Sequence, residues 1–320
     1  MQVTKNIDEN LNVIVSSSIP KDMFEKVPSA DKNSEAIVRP SLTYWQDVWR
    51  RLKENKLAMM GLTFVVLITI IAIIGPLLSK YNYYSQDLEI ANQPPSAAHW
   101  FGTDKFGRDI FVRILYGARI SLAVGYAASI LNIVIGILYG GIAGYFGGKI
   151  DNFMMRIVDI LYSIPMMIYV ILLMVIFGAG LKSIIIALAI AYWLTMARIV
   201  RGQIMSLKQQ EFVLAAKTLG ASSMRILLRH LIPNCMGPII VTLTLSVPEA
   251  IFTESFLSFI GLGVSAPQAS WGTLASEALE GFQLYPTQLF FPALAICLTI
   301  LAFNLLGDGL RDALDPKMRK

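Results

Sequence analysis

EFVLAAKTLGASSMRILLRHLIP, residues 211–233, decides how the chain is read: two short amphipathic patterns meet at Gly220, between apolar segments that are each long enough to cross a bilayer. Phe212, Ala215, Ala216 and Leu219 fall at i, i+3, i+4, i+7, and Met224, Leu227, Leu228 and Leu231 repeat the spacing. Each half is therefore predicted to be a helix with one apolar face. Gly220 suits a left-handed cap that ends the first helix, and Ser222 or Ser223 suits the N-cap of the second. The expectation is helix, sharp turn, helix, in a loop shaped to dock on something else.

Composition sets the class around that loop. Hydrophobic residues make up 55% of the 320, charged residues 15%, and mean hydropathy is +0.59, values of an all-α integral membrane protein. Apolar runs near 20 residues predict six transmembrane helices, at about 57–78, 120–146, 157–177, 183–200, 237–262 and 289–306. The net charge of +5 comes from scattered Lys and Arg, which argues for basic cytoplasmic loops and against a nucleic-acid partner. Arg50, Arg51, Lys53 and Lys56, then Lys149 and Arg156, then the bases from Arg198 to Arg229, and finally Arg311 to Lys320 share one side, so both termini are expected in the cytoplasm.

The organisation expected is a mobile polar tail at 1–40, an interfacial amphipathic helix at 41–56 with Trp45, Trp49 and Leu52 on its apolar side, and a first span with its extracytoplasmic loop at 57–119. A core at 120–310 carrying the loop 201–233 follows, then a cytoplasmic tail at 311–320. The interfacial helix implies contact with membrane lipid.

Ala215-Ala216, Gly220 after three intervening residues, and Pro233 after a further apolar run resemble the EAA loop of permease subunits of bacterial ABC importers, with Leu214 at the motif's acidic first position and Glu211 nearby. The segment HWFGTDKFGRD, residues 99–109, continuing through Arg113, Gly117, Arg119, Ser121 and Leu122, is similar to the stretch before the second span of the C-type permease of oligopeptide and dipeptide importers. Residues 254–263 (ESFLSFIGLG), Trp271-Gly272 and residues 307–316 (GDGLRDALDP) resemble the same subfamily.

The resemblance implies the type I permease fold in a bacterial cytoplasmic membrane. It also implies pairing with a homologous B-type permease, two ATPase subunits holding ATP and Mg, and an extracytoplasmic peptide-binding protein. In it, Glu211, Ala215, Ala216, Lys217, Gly220, Arg225, His230 and Pro233 belong to the coupling helix that meets the ATPase. Gly102, Thr103, Asp104, Gly107, Arg108 and Asp109 belong to the extracytoplasmic loop.

Acidic residues inside apolar spans cost about 2.5–3.5 kcal/mol on insertion scales, so Asp159, Glu249 and Glu254 are candidates for the translocation path or its gate. Asp159 is expected to pair with Arg156, and Glu254 to reach water or a partner; Glu249 follows Pro248, where a helix is loosened. Glu249 and Glu254 have a structural alternative as hydrogen-bonding groups. Gly136, Gly140, Gly144 and Gly148 recur every four residues and predict a close helix seam. Gly147-Gly148-Lys149 lacks the first glycine of a phosphate loop and is followed by Ile150, so the chain is not read as the ATPase, nor as an enzyme, and no metal or cofactor site of its own is expected. Nickel or another small solute is the alternative cargo. A proton-coupled carrier or an assembly protein without a path are the other classes.

Overall fold

A computed structural model describes residues 43–315, so the expectation for 1–40 and residues 316–320 of the tail lie outside the described residues. The chain divides at Trp45 into a leading unit, described only for Thr43–Trp45, and the unit Gln46–Lys320, to which everything below belongs apart from the first two residues of helix α1.

Helix α1, Tyr44–Glu54, precedes α2, Lys56–Leu78. Asn55 sits between them and caps α2, its Oδ1 accepting from Ala58 N–H at 3.1 Å. The buried side of α1 is Val48 and Leu52, packed with Ala58, Ala313 and Leu314. Trp49 is exposed, with the Lys53 ammonium 5.3 Å from its ring centroid, whereas Leu52 is buried. In α2 only Ala58, Gly61, Val65 and Ala72 are buried, while Leu57, Leu67, Ile70 and Leu77 are exposed. That is the surface of a helix surrounded largely by acyl chains.

The second span begins ten residues earlier than the hydropathy suggested. Helix α3 is Ile110–Phe146, with Asp109 as its N-cap. Arg113 is carried inside the helix because two carboxylates neutralise it, and Arg119 because its Nη2 donates to the Ile73 carbonyl oxygen at 2.8 Å. The third span is not straight. Helices α4, Gly148–Ser163, and α5, Met166–Phe177, meet at an 88° bend. Pro165 supplies the reason: it lacks the N–H to continue the ladder, and it pushes Ile164 to extended backbone (φ −84°, ψ 128°).

Helix α6 is Leu181–Leu207, α7 Glu211–Thr218 and α8 Ser223–Ile226. The last runs on through a π-helical turn, Leu227–Leu231, and the segment Ile232–Asn234 into α9, Met236–Phe259. Helices α10, Trp271–Leu279, and α11, Pro286–Leu314, complete the chain, so the tail drawn from 311 begins inside a helix. Five of these helices are long and apolar enough to span a membrane, and α4–α5 makes a sixth if the bent pair counts as one.

Two of the four apolar clusters among the described residues bear on the sites below. One centres on Trp271, fully buried among residues of α2, α3, α9 and α11. The other gathers Met196, Val200 and Ile204 of α6 with Val213, Ala216, Ile226, Leu227 and Leu231. Helices α3 and α6 approach so closely that a Cβ on Gly140 would overlap the Ala197 carbonyl, and one on Gly144 would lie 2.8 Å from the Arg201 carbonyl oxygen. Gly136, Gly140 and Gly144 thus form the seam that their spacing predicts. Gly148 does not join it: nothing lies near its Cβ position, and it starts α4 instead.

Candidate functional site

The α7–α8 element is built by its own backbone. Ala221 N–H reaches the Ala216 carbonyl at 3.0 Å and Gly220 N–H the Lys217 carbonyl at 3.0 Å, the two bonds of a Schellman cap. Gly220 sits at φ +78° with open space around its Cβ position, so glycine is required there by backbone conformation and not by crowding. Ser222 caps α8, its Oγ accepting from Arg225 N–H at 3.4 Å. Pro233 follows the π turn, in which Ile232 N–H bonds the Leu227 carbonyl. The widened turn accommodates a residue that cannot donate to the helix.

The faces divide differently from the periodicity alone. Val213, Ala216, Ile226, Leu227 and Leu231 point inward onto α6 and α9. Phe212, Leu214, Leu219, Met224 and Leu228 point outward, Leu219 with 87% of its surface exposed. Glu211, Ala215, Lys217, Gly220, Arg225 and Pro233 are exposed with them, and His230 is half-buried. The result is an apolar surface edged by charge, braced from behind. The brace is firm: the Arg201 guanidinium grips Asp151 of α4 at 2.5 and 2.6 Å, and Lys208 Nζ donates to the Gly144 carbonyl oxygen at 2.8 Å. Helix α6 runs unbroken from this point for its full length, about 40 Å at 1.5 Å per residue.

At the other end of the span bundle, residues 99–109 fold into a compact knot. Asp104 accepts from Arg108 Nε at 2.6 Å, Arg113 Nη1 at 2.7 Å and Phe106 N–H at 2.8 Å. Glu277 of α10 accepts from Arg108 Nη2 and Arg113 Nη1, both at 2.7 Å. Burial works to raise the Glu277 pKa, but Arg113 and then Arg108 outweigh it and hold the carboxyl below its ordinary range. Asp109 bonds His99 Nδ1 at 2.8 Å through one oxygen and caps α3 through the other. Thr103 is buried, and its main-chain oxygen accepts from Gln288 Nε2 of α11 at 3.0 Å. The knot is a charge-balanced clamp holding this loop against α10 and α11.

Residues 110–320 match the family of binding-protein-dependent transport system inner membrane components. The chain belongs to that family. Residues 43–95 of the permease match the N-terminal transmembrane domain of oligopeptide transport permease C. It is 55% identical over 303 residues to the oligopeptide transport system permease protein OppC of Bacillus subtilis (strain 168), covering 95% of this chain and 99% of that protein. It is 53% identical over 305 residues to the dipeptide transport system permease protein DppC of the same organism, covering 95% of each. Over 302 residues it is 44% identical to the glutathione transport system permease protein GsiD of Escherichia coli O6:K15:H31 (strain 536 / UPEC), covering 93% of this chain and 99% of that one. Among solved structures, an inward-facing MetNI methionine ABC transporter chain superposes with a TM-score of 0.52 at 20% identity, covering 64% of the permease and 98% of that chain. The fold is that of type I ABC importer permeases.

The three intramembrane acids take three different settings in the permease. Glu254 is fully buried; it accepts from Ser121 Oγ at 2.8 Å and Ser258 Oγ at 2.7 Å, joining α3 and α9 beside the start of α10. It therefore reaches neither water nor a partner, because the hydroxyls of small residues pack around it. Asp159 pairs with Arg198 of α6 at 2.6 Å, not with Arg156, and Tyr162 lies under the same guanidinium at 4.2 Å. Residues 156 and 159 are near in sequence, but the Asp159 side chain crosses to the neighbouring helix. Glu249 is exposed on α9, while Tyr192 Oη donates to its main-chain carbonyl at 3.2 Å and bonds Thr253 Oγ1 at 2.6 Å. These acids do not form one cluster.

Sequence reasoning missed Glu277 and Asp151 as site residues. Their partners lie 164 and 50 residues away, so neither pairing has a local signature. The i, i+4 spacing of Asp104 and Arg108 was the one signal available for the clamp.

Proposed function

We propose that the chain is one half of the membrane path of an ATP-driven peptide importer. A homologous B-type permease supplies the other half, two ATPase subunits lie beneath and an extracytoplasmic peptide-binding protein lies above. The observation that carries this reading is the outward apolar surface of α7–α8, packed on α6 through Val213 and Ala216, with α6 in turn tied to α4 by Arg201 and to α3 by Lys208. A displacement applied at Leu219 or Met224 is passed to α6 and α3 as a rigid body, since the glycine seam leaves no slack between them. Closure of the ATPases then rocks the spans between inward and outward access. ATP and Mg belong to those subunits, and this chain takes no chemical step. Both termini lie in the cytoplasm, with the 99–109 knot on the far side, where it receives the binding protein. Glu249, exposed on α9, and the Asp159–Arg198 pair line the path.

Peptide cargo is supported by the names of the relatives most similar over nearly the whole chain. Affinity purification of the tagged chain from mild detergent, with mass spectrometry and an ATPase assay with and without peptides, tests it. Recovery of a second permease and two phosphate-loop ATPases with peptide-stimulated hydrolysis is the expected outcome. Stimulation by a nickel-loaded binding protein, and none by peptides, overturns the cargo.

A further inference from the structure

A groove of about 640 Å³ opens where α2 ends and α3 begins, away from α7–α8. Its inner wall is Ile71, Leu78 and Leu115; its rim carries Lys80, Tyr81 and Trp100. From Leu78 to Ile71 the wall descends seven residues of α2, about 10 Å along the helix axis into the hydrocarbon zone. Leu78 and Trp100 are 79% and 64% exposed, so the mouth of the groove lies open, while Leu115 at its back is buried and the Trp100 ring leans on Phe111 at 4.9 Å. At the rim the charges are unequal. Asp109 also lines the groove, but both its oxygens are taken, by His99 and by Val112 N–H. Lys80 is exposed and enters none of the salt bridges among the described residues. The accessible charge is one cation, flanked by a tyrosine and a tryptophan of the kind that settle at headgroup depth.

We propose that this groove is a binding site for an anionic glycerophospholipid, one acyl chain lying along Ile71, Leu78 and Leu115 and the phosphate held at Lys80. An acyl chain fits the wall because it replaces exposed apolar surface without asking for hydrogen bonds. The headgroup fits the rim because a lone lysine ammonium at the interface gains from an anionic lipid what it cannot gain from a neutral one. A bound lipid splints the junction of the first span to the loop that carries the Asp104–Glu277 clamp. A protein segment in the same groove would have to place a carboxylate or carbonyl at Lys80, and this is separated from the lipid in the test.

The test uses the full tagged chain with the proteins that assemble with it, delipidated in mild detergent and examined by native mass spectrometry. Phosphatidylglycerol, phosphatidylcholine and inorganic phosphate are added separately. Phosphatidylglycerol is expected to bind, phosphatidylcholine to bind more weakly, and inorganic phosphate neither to bind nor to compete. Lys80→Ala is expected to lower phosphatidylglycerol affinity about fivefold, the worth of one basic residue beside an anionic surface. Ala98→Trp, at an exposed position on the groove wall, is expected to abolish binding by filling the groove while assembly is unchanged. Equal binding of the two lipids with no effect of either variant overturns the proposal. So does competition by inorganic phosphate alone, or a photo-cross-link from position 98 to a partner protein in the delipidated assembly. Lys80 and Ala98 are surface residues, and an unchanged assembly mass in each variant separates loss of lipid from loss of folding.

Discussion

Arg113 and Glu277 stand 164 residues apart in sequence and meet at 2.7 Å, the guanidinium 2% exposed at the start of α3 and the carboxylate on α10. Asp104 and Arg108 complete the group, so two acids and two bases are held together with no net charge. Breaking such a pair is costly because the remaining charges stay buried. Glu277→Ala should destabilise the detergent-solubilised protein by about 3 kcal/mol, the lower end of the range for buried pairs, since a third of the Glu277 side chain reaches solvent. Thermal unfolding followed by the fluorescence of Trp271 and its neighbours measures it.

The same carboxyl sets an acid limit. Its folded pKa lies below its unfolded one, so its contribution is complete above the ordinary carboxylate range and disappears as pH falls through the depressed value. Proteolysis of residues 80–109 should therefore stay slow at pH 5 and accelerate only at pH values below that range. In Glu277→Gln this acid step should be absent; cleavage that already rises between pH 6 and 5 in the unmodified protein would contradict the assignment.

Gly220 is needed for its φ of +78° and for nothing else. A β-branched residue there meets left-handed strain of about 1–2 kcal/mol, whereas Asn tolerates the region. Gly220→Val should insert normally and lose peptide-stimulated ATPase activity, and Gly220→Asn should retain most of it. Equal activity in both variants would remove the cap from the coupling account.

At Leu219, 87% exposed, Asp should leave the unfolding midpoint unchanged and reduce recovery of the ATPase subunits. Val213→Asp, on the inward face, should instead lower stability by placing a charge in the cluster with Ile204 and Ile226. Two apolar-to-acid changes six residues apart thus separate docking from folding.

Gly140→Val adds atoms where the Ala197 carbonyl already lies against the α3 backbone. Overpacking of about 1–3 kcal/mol is expected, read as a lower unfolding temperature and as weaker coupling between ATP hydrolysis and uptake.

Much of this was legible in the chain itself. The EAA-like loop announced its cap and its turn because a Schellman motif is local: Gly220, Ala216 and Ser222 lie within seven residues. The glycine seam was legible because its period matches the helix, though Gly148 fell to the next element. What the sequence hid is long-range. Arg113 looked like loop charge until Glu277 came to it, and Asp159 seemed to belong to Arg156 until α6 brought Arg198 closer. The bend at Ile164–Pro165 was masked by the hydropathy of its flanks, which is high on both sides of a proline that breaks the helix.

Coupling depends on which face of α7 meets the ATPase. A photo-reactive amino acid at position 219, in the assembled importer, should cross-link to a phosphate-loop ATPase, while the same group at Phe153, exposed at 70% on α4, should not. Cross-linking from 153 and none from 219 would contradict docking through the outward face of α7.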